Sequence, residues 1–192
     1  MANGYKICIP ARLESSRLEQ KLLCNVNGKT IIQRTWERCL ESSADTVTVI
    51  TDSTEIFDLI SGLGGDCFLS QSVHESGTDR LAEYTKYQNL PEGLMLINVQ
   101  GDEPLIDIND IKNLDKLTKK NNCEIDTLAS KIDNKKNLND QNIVKVQTEN
   151  DLEKNRFSVA QKFLRQIDNQ LPNIYHHIGI YAVSYTHLRA HE

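Results

Sequence analysis

Short apolar, β-branched runs alternate with stretches of helical periodicity along most of this 192-residue chain, and that alternation limits its fold more than any other feature. Tyr5 to Pro10 is an apolar run closed by proline, the pattern of a buried strand entering a loop. From Thr30 onward Ile32, Trp36, Cys39 and Leu40 recur at helical spacing, with Arg34, Glu37, Arg38 and Glu41 on the other side. Thr46 to Thr51 reads as a second strand. Asp52-Ser53-Thr54 then offers N-cap chemistry for a helix to about Ser61. Gly62, Gly64 and Gly65 end that helix before a short strand, Cys67 to Ser70. The cycle repeats with a helix over Thr78 to Tyr87, a turn at Pro91-Glu92-Gly93, and the most apolar strand, Leu94 to Val99. Asp107 precedes Ile108, Ile111, Leu114 and Leu117, a stripe that predicts a helix to about Asn121. This order predicts an α/β fold of three layers, a mostly parallel sheet with helices on both faces. The polar stretch from Asp133 to Gln141 reads as a solvated surface loop, and no internal repeat or long linker divides the chain.

Composition narrows the function classes. Twenty-two Lys and Arg against 27 Asp and Glu give a net charge of −5, which argues against general nucleic-acid binding. No run approaches the roughly 18 consecutive apolar residues of a membrane span, and Met1 to Lys6 lead into a strand without a signal-peptide core, so a cytoplasmic protein is expected. Cys8, Cys24, Cys39, Cys67 and Cys123 are odd in number and widely spaced, a pattern of reduced structural thiols rather than of zinc or disulfides.

Ligands of parallel α/β sheets bind beyond the carboxyl ends of the strands, and three polar clusters follow strands in that way. The first, Pro10 to Lys21, carries Arg12, Arg17 and Lys21, cations suited to separate oxygens of a polyphosphate. It contains neither G-x-G-x-x-G nor a P-loop. The second, Asn98-Val99-Gln100-Gly101-Asp102-Glu103-Pro104, places a carboxylate after the strongest strand. Asp102 there can serve as a Mg²⁺ ligand or as a helix cap. The third, His74-Glu75-Ser76-Gly77-Thr78-Asp79-Arg80, opens a helix, where Ser76 and Thr78 can cap and Arg80 can meet an anion or the polar edge of a base. Asn142 to Val146 is strand-like with one cation, and His176-His177 precede a β-branched run.

Together these segments resemble the 3-deoxy-manno-octulosonate cytidylyltransferases, the CMP-Kdo synthetases. The resemblance runs from about Lys6 to Tyr181. Its landmarks are P-A-R-x-x-S-x-R-L-x-x-K at Pro10 to Lys21, H-x-S-G-T-[DE]-R at His74 to Arg80 and N-V-Q-G-D-E-P at Asn98 to Pro104. I-V-K-V at Ile143 to Val146 and H-[IL]-G-I-Y at His177 to Tyr181 follow in the family's order. The resemblance implies a Rossmann-like nucleotidyltransferase fold and CMP transfer from CTP to Kdo, with Mg²⁺, in a homodimer. It places Arg12, Ser16, Arg17 and Lys21 at the triphosphate, with Arg12, Lys21 and Asp102 as the catalytic set. Ser76 and Arg80 would hold the cytosine end, Asp102 the metal, and Gln100, His177 and Tyr181 the sugar.

The chain departs from the family pattern at three places. Glu19 and Gln20 stand where the loop usually has proline and glycine, and Val159 stands where a sugar-binding arginine follows F-S. After Tyr181 the family continues to a second metal-binding aspartate, whereas Ser184 to Glu192 resembles adapter read-through. The expected organisation is therefore a nucleotidyltransferase domain over 1–183, incomplete at its C-terminus, and an artefactual tail over 184–192. Two alternatives stay open: a cytidylyltransferase for a related sugar acid, and a nucleotide-binding fragment without turnover.

Overall fold

The computed structural model describes residues 4–13, 18, 20–72, 74, 77–88, 90–91, 93–132, 134–153, 156–167 and 171–190. They fall into two compact units, Met1–Asp126 with Ile180–Glu192, and Thr127–Gly179.

The first unit opens with strand β1 (Tyr5–Ala11), a short 3₁₀ turn (Lys21–Leu23) and a two-stranded hairpin, β2 (Asn25–Val26) and β3 (Lys29–Thr30). Helix α1 (Ile31–Leu40) starts where the Thr30 hydroxyl accepts the Gln33 N–H at 3.2 Å. Strand β4 (Thr46–Thr51), helix α2 (Thr54–Gly62), strand β5 (Asp66–Leu69), helix α3 (Gly77–Tyr87), strand β6 (Met95–Asn98) and helix α4 (Ile108–Asn121) follow. Ser53 caps α2 and Asp107 caps α4, as their positions predict.

The strands lie in the order β5-β4-β1-β6, all parallel, with Ile7 opposite Val47 on one side and Ile97 on the other. Residues Tyr181 to Ser184 of strand β10 (Ile174–Ser184) add an antiparallel member beside β6. Alternation along the strands divides the core. Cys8, Ile50 and Leu96 cluster with Leu81 and Tyr84 of α3, while Ile7, Ile9 and Val49 alternate with them and are equally buried. On α1 and α2, Trp36 and Ile60 crowd the same residue, Gly65, so these two helices meet. Connections running from β1 to β5 and the return from β5 to β6 proceed in opposite directions, and right-handed crossovers then put their helices on opposite faces. The predicted α/β architecture of a mostly parallel sheet covered on both faces is what the structure has. Among the described residues, no helix is long and apolar enough to cross a membrane.

The second unit is built differently. Strand β7 (Ile125–Ser130) leads into it, followed by helix α5 (Lys135–Asn139), β8 (Lys145–Thr148), β9 (Ala160–Leu164) and the first half of β10. Here β8 is antiparallel to both β9 and β10, with an irregularity between Gln147 and Thr148. Antiparallel pairing needs no crossover helix, so short irregular connections suffice. The polar stretch expected to be all loop contains α5, nucleated where Asn134 Oδ1 accepts the Asn137 N–H at 2.7 Å. Lys145 is wholly buried, and its ammonium donates to the carbonyls of Asp140 and Arg165.

The segment set apart in the sequence as a tail is folded in the first unit. Ser184 ends β10, helix α6 spans Tyr185–Ala190, and Leu188 lies in the cluster with Leu81 and Tyr84. All five cysteines are free, and burial pushes the Cys8 and Cys39 thiols up to about 12.

Candidate active site

The strand order reverses between β1 and β6: the chain winds outward from β1 to β5, then returns to β1's other side. Such a switch point leaves a crevice at the carboxyl ends of the two strands. The segments after β1 and β6 are the first and second polar clusters of the sequence.

Pro10, near the end of β1, joins the three clusters. A Cβ on Gly77 would lie 3.1 Å from Pro10 Cγ, and one on Gly101 would lie 3.3 Å from the Pro10 carbonyl oxygen. Gly101 is also hemmed in by Ile32 and Leu22 at 3.2 Å, and its carbonyl accepts from the buried Thr35 hydroxyl at 2.9 Å. Glycine at both positions is what lets three loops approach one proline.

On this mount the structure brings Lys21 and Asp102 together. Lys21 Nζ donates to Asp102 Oδ2 at 2.5 Å across 81 positions of sequence, and the two side chains are 38% and 39% exposed. Neither group is walled off. An ammonium and a carboxylate that hold each other in water can exchange that contact for a phosphate and a cation at small cost, since exposed pairs are worth about 0–1 kcal/mol. Glu103 stands beside them. Burial, then repulsion from Asp102, push its carboxyl above the ordinary range, with Lys21 opposing. Arg12 is exposed one residue past β1 and has no ion-pair partner among the described residues. Gln100 is half-buried at the same sheet end. Tyr181 pairs in register with Asn98, the last residue of β6, and burial raises its hydroxyl's pKa.

Lys21 is carried by the 3₁₀ turn, and the residue before it is backbone-strained. Gln20 has φ 50° and ψ 33°, the left-handed region, at the position where the resemblance leads one to expect glycine.

Other predicted residues lie elsewhere. Arg80 is not an open cation awaiting a ligand: it is 2% exposed, and its Nη2 donates to Asp52 at 2.5 Å. Its Nε finds no partner among the described residues. His177 belongs to the second unit, where its ring meets Phe163 edge-on at 4.8 Å and Thr127 Oγ1 at 3.0 Å. Burial, then neighbouring His176, lower its pKa. Val159 is exposed, Arg156 pairs with Glu153 at 3.2 Å, and Arg165 donates to the Gln141 carbonyl at 3.3 Å. Ser16, Arg17, Glu19 and Ser76 lie outside the described residues.

Sequence reasoning missed two partners. Asp52 reads as a helix cap, but Ser53 performs that function and leaves Asp52 to Arg80. Glu83, which belongs to none of the motifs, is buried against His74, with Nε2 to Oε2 at 2.6 Å. The available signal was an Arg and a Glu three positions apart on a helix otherwise patterned to pack.

Comparison with known proteins settles the family. The model of a family described as cytidylyltransferase matches residues 7–189. The chain belongs to the cytidylyltransferase family. A 3-deoxy-manno-octulosonate cytidylyltransferase of Photobacterium profundum is 35% identical over 185 residues, covering 93% of this chain and 75% of that protein. A solved structure of CMP:2-keto-3-deoxy-manno-octonic acid synthetase complexed with CTP superposes with a TM-score of 0.84 at 30% identity, over 98% of this chain and 77% of the other. The fold alone is shared with a 4-diphosphocytidyl-2C-methyl-D-erythritol synthase, at a TM-score of 0.62 and 8% identity.

Proposed function

We propose that this cytidylyltransferase transfers CMP from CTP to the anomeric hydroxyl of 3-deoxy-D-manno-octulosonate (Kdo), releasing pyrophosphate, for lipopolysaccharide biosynthesis. The observation that carries the reading is the Lys21–Asp102 pair at the β1/β6 crevice, in a chain this similar to a CMP-Kdo synthetase solved with CTP. Exposed Arg12 and Lys21 suit separate phosphoryl oxygens of the triphosphate, with Ser16 and Arg17 assigned beside them by the motif. Ser76 and Arg80 are assigned to the cytosine end, and Gln100, Tyr181 and His177 to the sugar acid, likewise on their motifs.

The donor set fits Mg²⁺. Asp102 offers a partly exposed hard-oxygen carboxylate, which is enough when substrate phosphates and water complete the shell. Asp102 would hold the ion, which when bound neutralises phosphate charge and lowers the pKa of the attacking hydroxyl. The protein's own part is positioning. Lys21 and Arg12 fix the triphosphate for in-line attack and balance charge as pyrophosphate departs. No side-chain nucleophile is needed.

The apolar residues on and beside β9, Val159 and Phe163, are exposed, which supports a homodimer. CTP and Kdo as substrates fit a cytoplasmic enzyme that binds neither nucleic acid nor membrane. We also propose that 1–183 forms the nucleotidyltransferase domain, against which helix α6 packs through Leu188.

The test is pyrophosphate release from CTP that requires both Kdo and Mg²⁺. Exposed Val159, standing where the family has a sugar-binding arginine, favours a second reading in which the acceptor is a related sugar acid. Release with such an acid but not with Kdo establishes that reading. CTP binding without release for any acceptor identifies a non-catalytic nucleotide-binding fragment.

A further inference from the structure

Helix α3 carries two buried ionised side chains one turn apart, Arg80 and Glu83. Opposite charges at this spacing are neighbours on a helix and commonly pair with each other. Here they do not. Arg80 reaches Asp52, just past β4, at 2.5 Å. Glu83 reaches back to the segment that precedes its own helix, and both its oxygens are used. Oε1 accepts the Gln71 backbone N–H at 2.9 Å, and Oε2 accepts from the His74 ring at 2.6 Å. Burial alone would push the Glu83 carboxyl up, but its hydrogen bonds, led by that from His74, hold it below the ordinary range. Past His74 the chain meets Gly77, whose Cα faces Pro10. Gln71, His74, Gly77 and Arg80 are thus each held by a defined contact, and two of those four contacts depend on one carboxylate.

We propose that Glu83, acting through His74, is a positioning residue for the nucleotide: it shapes the 71–80 segment that receives the base end of CTP. The inference rests on the function proposed above, which assigns that segment to cytosine. A carboxylate that only stabilised α3 would have no need of two partners on the preceding loop, and its natural partner would be Arg80. Its commitment to Gln71 and His74 costs the helix an internal pair and holds those two residues to α3. That hold lowers the ordering cost of binding the nucleotide without entering the chemical step.

The experiment compares CTP affinity, by calorimetry without sugar, and steady-state constants for wild type, Glu83→Gln, His74→Gln and the double variant. In each variant the CTP Kd and KM are expected to rise about tenfold, with kcat and the KM for Kdo within about twofold, as for lost uniform binding. The double variant is expected to be no worse than either single change, because the two residues act as one contact. His74→Gln lies on the loop and leaves the Gln71 bond in place, so it carries the test if Glu83→Gln does not fold. Unchanged CTP affinity in folded variants overturns the inference, as does a fall in kcat equal to the rise in KM. A wild-type protein that binds no CTP overturns the functional reading and the inference with it, an outcome distinct from wild type and variants binding alike.

Discussion

Two ion pairs, one formed by the segments that follow β1 and β6 and the other just past β4, are built to opposite purposes. Lys21–Asp102 is more than a third exposed on both sides, whereas Arg80 is 2% exposed and its partner Asp52 28%. Water competes for the first pair, so it is worth little and can be given up to a ligand. Water barely reaches the Arg80 guanidinium, so its pairing is a commitment of the fold. On the function proposed above, the groups that exchange partners stand in solvent, while the Arg80–Asp52 pair beside them is held by the fold.

The largest expected effect breaks the exposed pair. Asp102→Asn should cut pyrophosphate release by orders of magnitude while leaving the thermal midpoint almost unmoved, because it removes the metal ligand proposed above and no core volume. Undiminished turnover would remove Asp102 from the site. Next comes the buried pair. Asp52→Ala leaves an uncompensated buried guanidinium and should cost about 3 kcal/mol or more in urea unfolding. A loss below about 1 kcal/mol would place this pair in the same class as Lys21–Asp102. Lys21→Ala should raise the KM for CTP about tenfold, the scale of one charge-assisted hydrogen bond, with the KM for Kdo unchanged. An effect on Kdo alone would contradict the place given to Lys21. The smallest change concerns the mount of that lysine: Gln20→Gly relieves a left-handed side chain and should add up to about 1 kcal/mol of stability. No gain would show that the turn tolerates the strain.

The parallel half of the molecule was legible because its signals are local. Thr30, Ser53 and Asp107 cap the helices they precede, and β4 falls on Thr46 to Thr51 where the β-branched run lies. The second unit was less legible for an equally physical reason. Strand β9 is mostly exposed, so no apolar alternation marks it, and α5 depends on one asparagine cap in a polar stretch. Within the site, sequence identified Lys21 and Asp102 as chemistry but gave no sign that they meet, since 81 positions separate them. Arg80 was singled out for its place at a helix start, but its partner Asp52 lies on another element 28 positions away, and no local signal links the two.

The meeting of Gly77 and Gly101 at Pro10 bears on how acceptor preference could be re-engineered in this family. A loop transplanted singly from a relative must fit against the same proline as its two neighbours, where even a Cβ at either glycine would stand only 3.1–3.3 Å from Pro10. A side chain at either glycine would require its neighbour to yield by a few tenths of an ångström. The three loops are therefore one heritable part: exchanged together they carry their spacing with them, and exchanged singly they lose it.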